Sequence, residues 1–180
     1  MANTAGKATA TTLLIPLRRG WAVWCRVLFP IARRLPAMTA PLRRQSFIHV
    51  AHWTLTDRLD GHPLGRTCFY FQSNFDGAMN EYVDVFEQAV PGRMRMIWAG
   101  GLDYPHLYPS ERYRKWSVEH ASHVQHYYAA YGHATTTEVA AALEVDERLD
   151  RFVRACDAAE TDDEFDRRYR ELLAEVARWL

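Results

Sequence analysis

The spacing of hydrophobic and polar positions changes most sharply within residues 69–86, FYFQSNFDGAMNEYVDVF. Residues 67–72 are aromatic and β-favouring, which predicts a strand. A polar break follows, and Asp76 at its end is suited to cap a helix because its carboxylate can accept a backbone N–H of the first turn. Beyond the break, apolar residues recur at helical spacing, at Met79, Tyr82, Val83, Phe86 and Val90. The pattern therefore predicts a strand, a tight turn and an amphipathic helix.

The rest of the chain supplies further strands and helices to pack around this unit. Strands are predicted near residues 47–56, 66–73, 93–98 and 123–131. Helices are predicted at 110–120, 138–144, 146–159 and 161–180, the last with a capping-box spacing from Thr161 to Glu164. Four strands with helices between them indicate an α+β fold, with a four-stranded, mainly antiparallel sheet, helices on one face and a helical C-terminus. The other sheet face would remain for a second subunit or a ligand.

The N-terminal part has a different character from the rest. Residues 1–12 are small and polar and are predicted to be a disordered tail. Residues 13–45 form a basic amphipathic arm and linker, and residues 46–180 form the α+β domain with its C-terminal helices. A length of 180 residues is consistent with one domain and an appendage.

Residues 13–36 of this arm are predicted to form a helix kinked at Pro30. Its apolar stripe is Leu17, Trp21, Trp24, Leu28, Ile31 and Leu35, and its basic side is Arg18, Arg19, Arg26, Arg33 and Arg34. The apolar run is too short to span a bilayer and contains an arginine. Two interpretations stay open: a helix in the interface of an anionic membrane, or a helix docked on its own domain or on a protein partner. A nucleic acid is disfavoured as a partner on this pattern, because tryptophans on one stripe of a helix suit an apolar surface better than a phosphate backbone.

Charge and cysteine content narrow the picture. The chain has 22 basic and 22 acidic residues, but residues 1–50 carry eight basic residues and no acid, which leaves a net charge of −8 on residues 51–180. Such asymmetry indicates an arm with its own partner. The three cysteines form no CxxC pair, which disfavours a disulfide framework or a thiolate metal site and fits a reducing cytoplasm.

Candidate chemistry is sparse. A pocket between sheet and helices is conceivable, and its candidate residues are His49, His52, Asn74, Asp76, His126 and Tyr128. For these residues a structural role, as a hydrogen-bonded core residue, a cap or a strand aromatic, is the more frequent explanation. The spacing HxxHxxH at residues 120–126 does not bring three imidazoles together on a strand or a helix, so no metal site is predicted. No nucleophile elbow or phosphate loop occurs.

Four separated segments resemble a bacterial family that brings no established activity with it: SFIHVAHW, FYFQSNFDGAMNEYVDVF, RMRMIWAGGLDYP and VQHYYAAYGHAT. The family pattern is FIHFARW, FxSNFDG, IWxxxxGYP and HYYSAYP, and this chain departs from it at His52 and Gly132, where arginine and proline are expected. The resemblance covers residues 45–160. It implies a fold similar to ferredoxin-like, dimeric α+β barrel proteins, some of which bind haem, although the peroxidase fingerprint GxxDG is absent here.

These observations together favour a non-catalytic binding or assembly module that associates with itself and lies in the cytoplasm. Attachment to the inner face of the membrane, or to a protein partner, through residues 13–36 is part of this hypothesis. No cofactor is expected. The alternative hypothesis is an enzyme or haem-binding protein with its pocket between sheet and helices.

Overall fold

The structure, a computed structural model, describes residues 3–35, 37, 40, 45–89, 91–105, 110–156 and 161–179. Its backbone divides into two compact units, residues 1–133 and residues 134–180.

The first unit is built on a four-stranded antiparallel sheet. Its strands are β1 (Thr4–Ala5), β2 (Ala8–Pro16), β3 (Ile48–Leu59) and β4 (His62–Asp76), in the order β1-β2-β4-β3. β3 and β4 form a hairpin whose turn, Asp60-Gly61, has positive φ at both residues, as hairpin turns of the Asp-Gly type require. The long strand β4 is central, with β2 paired along one side and β3 along the other.

One face of this sheet carries the hydrophobic core. The paired residues Leu13 and Phe71, and likewise Ile15 and Phe69, point to the same face and are almost fully buried. Side chains of the four described helices of this unit join them in one cluster. Trp98 meets the strand residues Phe69 and Phe71 edge to face, Trp116 meets Trp98 edge to face, and Tyr82 stacks on Phe75. Residues of opposite parity on β3, such as His52 and Thr54, are exposed on the other face. The sheet is therefore covered by helices on one face.

The helices of the first unit are α1 (Arg19–Arg34), α2 (Met79–Ala89), α3 (Pro91–Trp98) and α4 (Ser110–His120). α2 and α4 are also joined at their surface by an ion pair, in which Arg114 Nε lies 2.6 Å from Asp84 Oδ1. The helix predicted after Asp76 is confirmed, but it begins at Met79, which makes Ala78 its N-cap position. The Ala78 N–H donates to the Glu81 carboxylate, whereas Asp76 binds a histidine described below.

Four predictions for this unit are wrong. The helix predicted over residues 13–36 begins only at Arg19, because residues 13–16 belong to strand β2. The predicted disordered tail is strand instead: Ala8–Pro16 is paired with β4 over its whole length, and Thr11 is 1% exposed. Residues 93–98 are the end of helix α3 and not a strand. The last turn of this helix places Trp98 in the hydrophobic core. Residues 123–131 contain no strand. That segment runs beside the N-terminal strands, where Val124 N–H donates to Asn3 Oδ1 and Lys7 N–H donates to Gly132 O.

The second unit is a pair of helices, α5 (Thr136–Cys156) and α6 (Asp162–Val176). The two helices predicted at 138–144 and 146–159 are thus one continuous helix. Both helices begin with a threonine whose hydroxyl accepts the N–H of a glutamate three residues on, at Thr135 for α5 and at Thr161 for α6. Phe152 of α5 contacts the stacked rings of Phe165 and Tyr169 on α6.

The α+β class and the four-stranded antiparallel sheet are confirmed. A ferredoxin-like arrangement is not confirmed, because the described part of the chain has no strand after Asp76 and draws two of its four strands from residues 4–16. No helix among the described residues combines the length and the apolar character that crossing a bilayer requires.

Candidate functional site

Helix α1 is buried on one side and leaves several large apolar side chains exposed on the other. Ala22, Cys25 and Leu28 form its inner row and are buried against the core, and the ring of Phe29 contacts that of Phe69 at 6.0 Å. Since these four positions lie within about 120° of one another around the helix, one face is committed to the domain. The domain therefore covers part of the arm, as one of the two interpretations expected.

Two tryptophans attach α1 to helix α3. Trp21 Nε1 donates to the carbonyl of Ile97 at 3.0 Å, and Trp24 Nε1 donates to that of Met96 at 3.1 Å. These carbonyls belong to the last turn of α3, where backbone acceptors lack partners within their own helix. The tryptophans therefore act as fixed contacts between two helices, and their rings are held in place.

The opposite side of α1 presents an outer apolar row to solvent. It consists of Val23, Trp24, Val27, Ile31 and Leu35, each exposed by 41–59%. Residues 23, 27, 31 and 35 follow one another at intervals of four, which places them in a continuous ridge along the helix. Single exposed apolar side chains are common on protein surfaces, whereas a continuous apolar ridge of this length on one helix is not.

A basic row lies beside this ridge. Arg19, Arg26 and Arg33, at intervals of seven, lie along one flank, and Arg18 and Arg34 are exposed at the two ends of the helix. Within the described part of the chain, no ion pair involves any of these five arginines. Because α1 itself contains no acidic residue, its outer side carries an uncompensated positive charge.

The predicted stripe differs from the observed one. Leu17 is buried, but it precedes the helix and pairs with Gly101 as a β-bridge. Leu28 belongs to the inner row and Trp21 is half-buried, whereas Trp24, Ile31 and Leu35 are exposed. The predicted stripe therefore contains residues from both the buried and the exposed side of α1. The buried side includes the small residues Ala22 and Cys25, which a prediction from the spacing of large residues left out.

A second polar feature lies at one end of the sheet. His49 Nε2 lies 2.7 Å from Asp76 Oδ1, and both side chains are largely buried. The β3–β4 register shifts between Ile48 and Val50, so His49 is the extra residue of a β-bulge, a device that redirects a side chain. Burial raises the pKa of Tyr127, and the negative charge of Asp76 raises it further. The carboxylate can hold the imidazole in one tautomer and leave its other nitrogen for a ligand.

The other candidate pocket residues do not join this pair. His52 is exposed on the helix-free face of the sheet beside the ring of Tyr70, and Asn74 lies on that same face opposite Val50. His126 is exposed, and Tyr128 is 78% exposed. The pair of His49 and Asp76 is what the structure brings together from the predicted set. Tyr127, which the sequence offered either as a cavity-lining residue or as a packed aromatic, is near enough to Asp76 for the charge of the carboxylate to raise the pKa of the tyrosine.

The space between sheet and helices is occupied by aromatic rings. A cavity of about 20 Å³ remains there, lined by apolar groups and by Ser117. This volume is close to that of one water molecule, so a haem or a substrate would need these rings to rearrange. In the described ranges, no three histidine, cysteine or carboxylate side chains are grouped as metal ligands.

The three cysteines should differ strongly in reactivity. Cys25 is fully buried, and burial raises the pKa of its thiol to about 11, so at pH 8 only about one thiol in a thousand is the reactive thiolate. Burial also raises the pKa of Cys68, while Cys156 is half-buried. Ellman's reagent should therefore titrate one thiol rapidly in the native protein and all three in guanidinium chloride. Cys156→Ser should remove the rapid phase, and a rapid phase that survives this change would contradict the burial of the other two.

Comparison of the chain with protein-family models, with curated proteins and with solved structures finds no match in any of the three.

Proposed function

We propose that this protein is a non-catalytic binding module that attaches to anionic membrane surfaces through the outer apolar row of α1. The observation that carries the proposal is the arrangement of this helix: its inner row is already buried in the domain, and a second apolar ridge, flanked by arginines, faces outward. A helix that docks only on its own domain needs one apolar side. A second apolar side would be stabilised by contact with another apolar environment, such as the interface of a membrane.

The magnitudes are consistent with reversible membrane attachment. Full burial of a valine, leucine or isoleucine side chain contributes roughly 1.5–3 kcal/mol, and partial insertion of the four aliphatic residues of the row contributes a fraction of that for each. Every arginine near an anionic surface adds about 1 kcal/mol at moderate ionic strength. Trp24, whose N–H is already bonded to Met96, would lie at headgroup depth with its ring edge toward the acyl chains.

Sedimentation with vesicles tests the proposal. Wild-type protein should pellet with vesicles of phosphatidylserine and phosphatidylcholine, bind phosphatidylcholine alone much more weakly, and dissociate as salt is raised. Val27→Glu with Ile31→Glu should weaken binding to the anionic vesicles by roughly a hundredfold or more, because two charges would enter the interface. These positions are preferable to Trp21 and Trp24, whose bonds to α3 contribute to the fold.

A matched control introduces the same charges elsewhere. Val118→Glu with Gln125→Glu changes two exposed positions outside α1 and should leave vesicle binding within about threefold of wild type. Melting temperatures of both double variants should stay close to that of the wild type, since all four positions are exposed. Wild-type protein that stays in the supernatant with anionic vesicles at low salt, or two double variants that bind equally well, would refute the proposal.

A further inference from the structure

The small cavity between the sheet and the helices has polar groups in its wall. Besides apolar side chains, its lining includes residues that carry an N–H or O–H group: Trp53, Tyr82, Trp98, Tyr113 and Ser117. These residues come from strand β3 and from helices α2, α3 and α4. Buried tryptophan and tyrosine side chains usually have a hydrogen-bond partner, so the partners of these groups are informative.

Two indole donors at the cavity have no acceptor. Nε1 of Trp53 and Nε1 of Trp98 are both shielded from solvent, and neither has a hydrogen-bond partner in the part of the chain that the structure describes. Both rings contact Phe71, with ring centroids 5.4 and 5.1 Å from its own, and Trp98 is only 3% exposed. A buried donor without an acceptor destabilises the folded state, so an acceptor placed in this cavity would stabilise it.

The same wall also offers hydrogen-bond acceptors. The phenol of Tyr113 lies beside the hydroxyl of Ser117, and the phenol of Tyr82 lies beside that of Ser73. Burial raises the pKa of both phenols, so they stay neutral at pH 7. Since a hydroxyl oxygen has two lone pairs, each pair of hydroxyls can accept a further hydrogen bond.

We infer that this cavity binds one internal water molecule, which accepts from the indole N–H groups of Trp53 and Trp98 and donates to hydroxyl oxygens of α2 and α4. The volume of about 20 Å³ is sufficient for a single water molecule. Internal waters typically have about two to four polar partners, and the wall supplies that number. The water joins β3 to the three helices through one polar centre inside an otherwise apolar core.

Other occupants suit this wall less well. An anion in a buried cavity needs a cationic partner, and the described lining contains no arginine, lysine or histidine. An apolar molecule or an additional methyl group would leave both indole donors without acceptors. Water meets both requirements, because it accepts hydrogen bonds from the indoles and donates to the hydroxyl oxygens.

Val83→Ile tests the inference. It does not depend on the proposed membrane attachment, because Val83 lies in the core and lines the cavity. Filling an empty apolar cavity with a methylene group raises stability, whereas here the added methylene should displace the water, strand the two donors and lower the melting temperature by a few degrees. Oxygen-17 relaxation dispersion, which counts long-lived internal waters, should show one fewer water than in the wild type.

Val85→Ile is the matched control. It adds the same methylene to the same helix at a half-buried position outside the described lining of the cavity, and it should leave the water count unchanged. In the wild-type protein, the indole N–H protons of Trp53 and Trp98 should show nuclear Overhauser effects to a long-lived water. Val83→Ile should abolish these effects, and Val85→Ile should retain them.

Three outcomes would overturn the inference. The first, measured on the wild type alone, is the absence of any Overhauser effect between water and the two indole N–H protons. The second is a Val83→Ile variant that keeps the wild-type number of long-lived waters. The third is a Val83→Ile variant that is more stable than the wild type, since the cavity would then be dry.

Discussion

Removal of residues 1–12 should abolish the cooperative unfolding transition of the first unit. These residues contain β1 and more than half of β2, and five of their backbone positions, Ala8 to Thr12, pair with β4. Their loss would expose one edge of the central strand and uncover Phe75, which is fully buried opposite Thr9. Because domains are stable by only about 5–15 kcal/mol, the loss of β1 and of more than half of β2 should exceed the available stability. Circular dichroism during heating measures the effect.

A conservative substitution in β2 tests whether the effect of the truncation comes from loss of the strand or would follow from any change in this region. Thr12→Val retains a β-branched side chain at a half-buried strand position and should shift the melting temperature by only a few degrees. A truncated protein that unfolds with the same midpoint and amplitude as the full chain would contradict the contribution of residues 1–12 to the sheet.

Gly100→Ala should destabilise the protein by roughly 1–3 kcal/mol, because a Cβ at this position would overlap with the ring of Trp21. The Trp21 ring is held over Gly100 by its bond to Ile97, and the Arg18 N–H donates to the Gly100 carbonyl at 2.9 Å. The ring cannot retreat without breaking this attachment of α1 to α3. Denaturant unfolding followed by tryptophan fluorescence should show a lower midpoint with little change in slope.

Gly20→Ala is the matched control. Gly20 lies in α1, one residue before Trp21, and a Cβ there meets no atom within 4 Å. Alanine is the better helix former by about 0.5–1 kcal/mol, so this variant should be as stable as the wild type or slightly more so. Equal stability of the two alanine variants would contradict the close contact of Trp21 with Gly100. Since the loosened helix carries the outer apolar row, Gly100→Ala should also weaken vesicle binding.

Elements with strong local signals were predictable from the sequence. The helix at Met79–Ala89, the strand at 47–56 and the capping box from Thr161 to Glu164 are all observed. Each combines a hydrophobic period with a break or a cap that is encoded within a few residues, so packing had little left to decide. The same holds for the uneven charge of the arm, since arginine positions are read directly from the sequence.

Residues 4–16 and 93–98 were mispredicted because their local signals are weak. The run of alanine and threonine in β2 lacks large hydrophobic residues, and it becomes a strand because the aromatic strand β4 offers a long partner. RMRMIW is too short for its period to distinguish helix from strand. In both cases the intrinsic preference for helix or strand, a few tenths of a kcal/mol per residue, is smaller than the free energy gained by burying Thr11 or Trp98 in the core.

The candidate functional surface also has features that the sequence predicts and features that only the fold decides. Residue spacing alone established that α1 is amphipathic and basic, since periodicity is a local property. Which of its sides faces the domain depended on Gly100 and on the carbonyls of α3, which lie about 75 residues away in the chain and come near Trp21 only after folding. The contact of His49 with Asp76 likewise follows from the pairing of two strands, in which His49 is the extra residue of a β-bulge. A bulge shifts the register locally, and the spacing of apolar residues along the strand does not show where such a shift occurs.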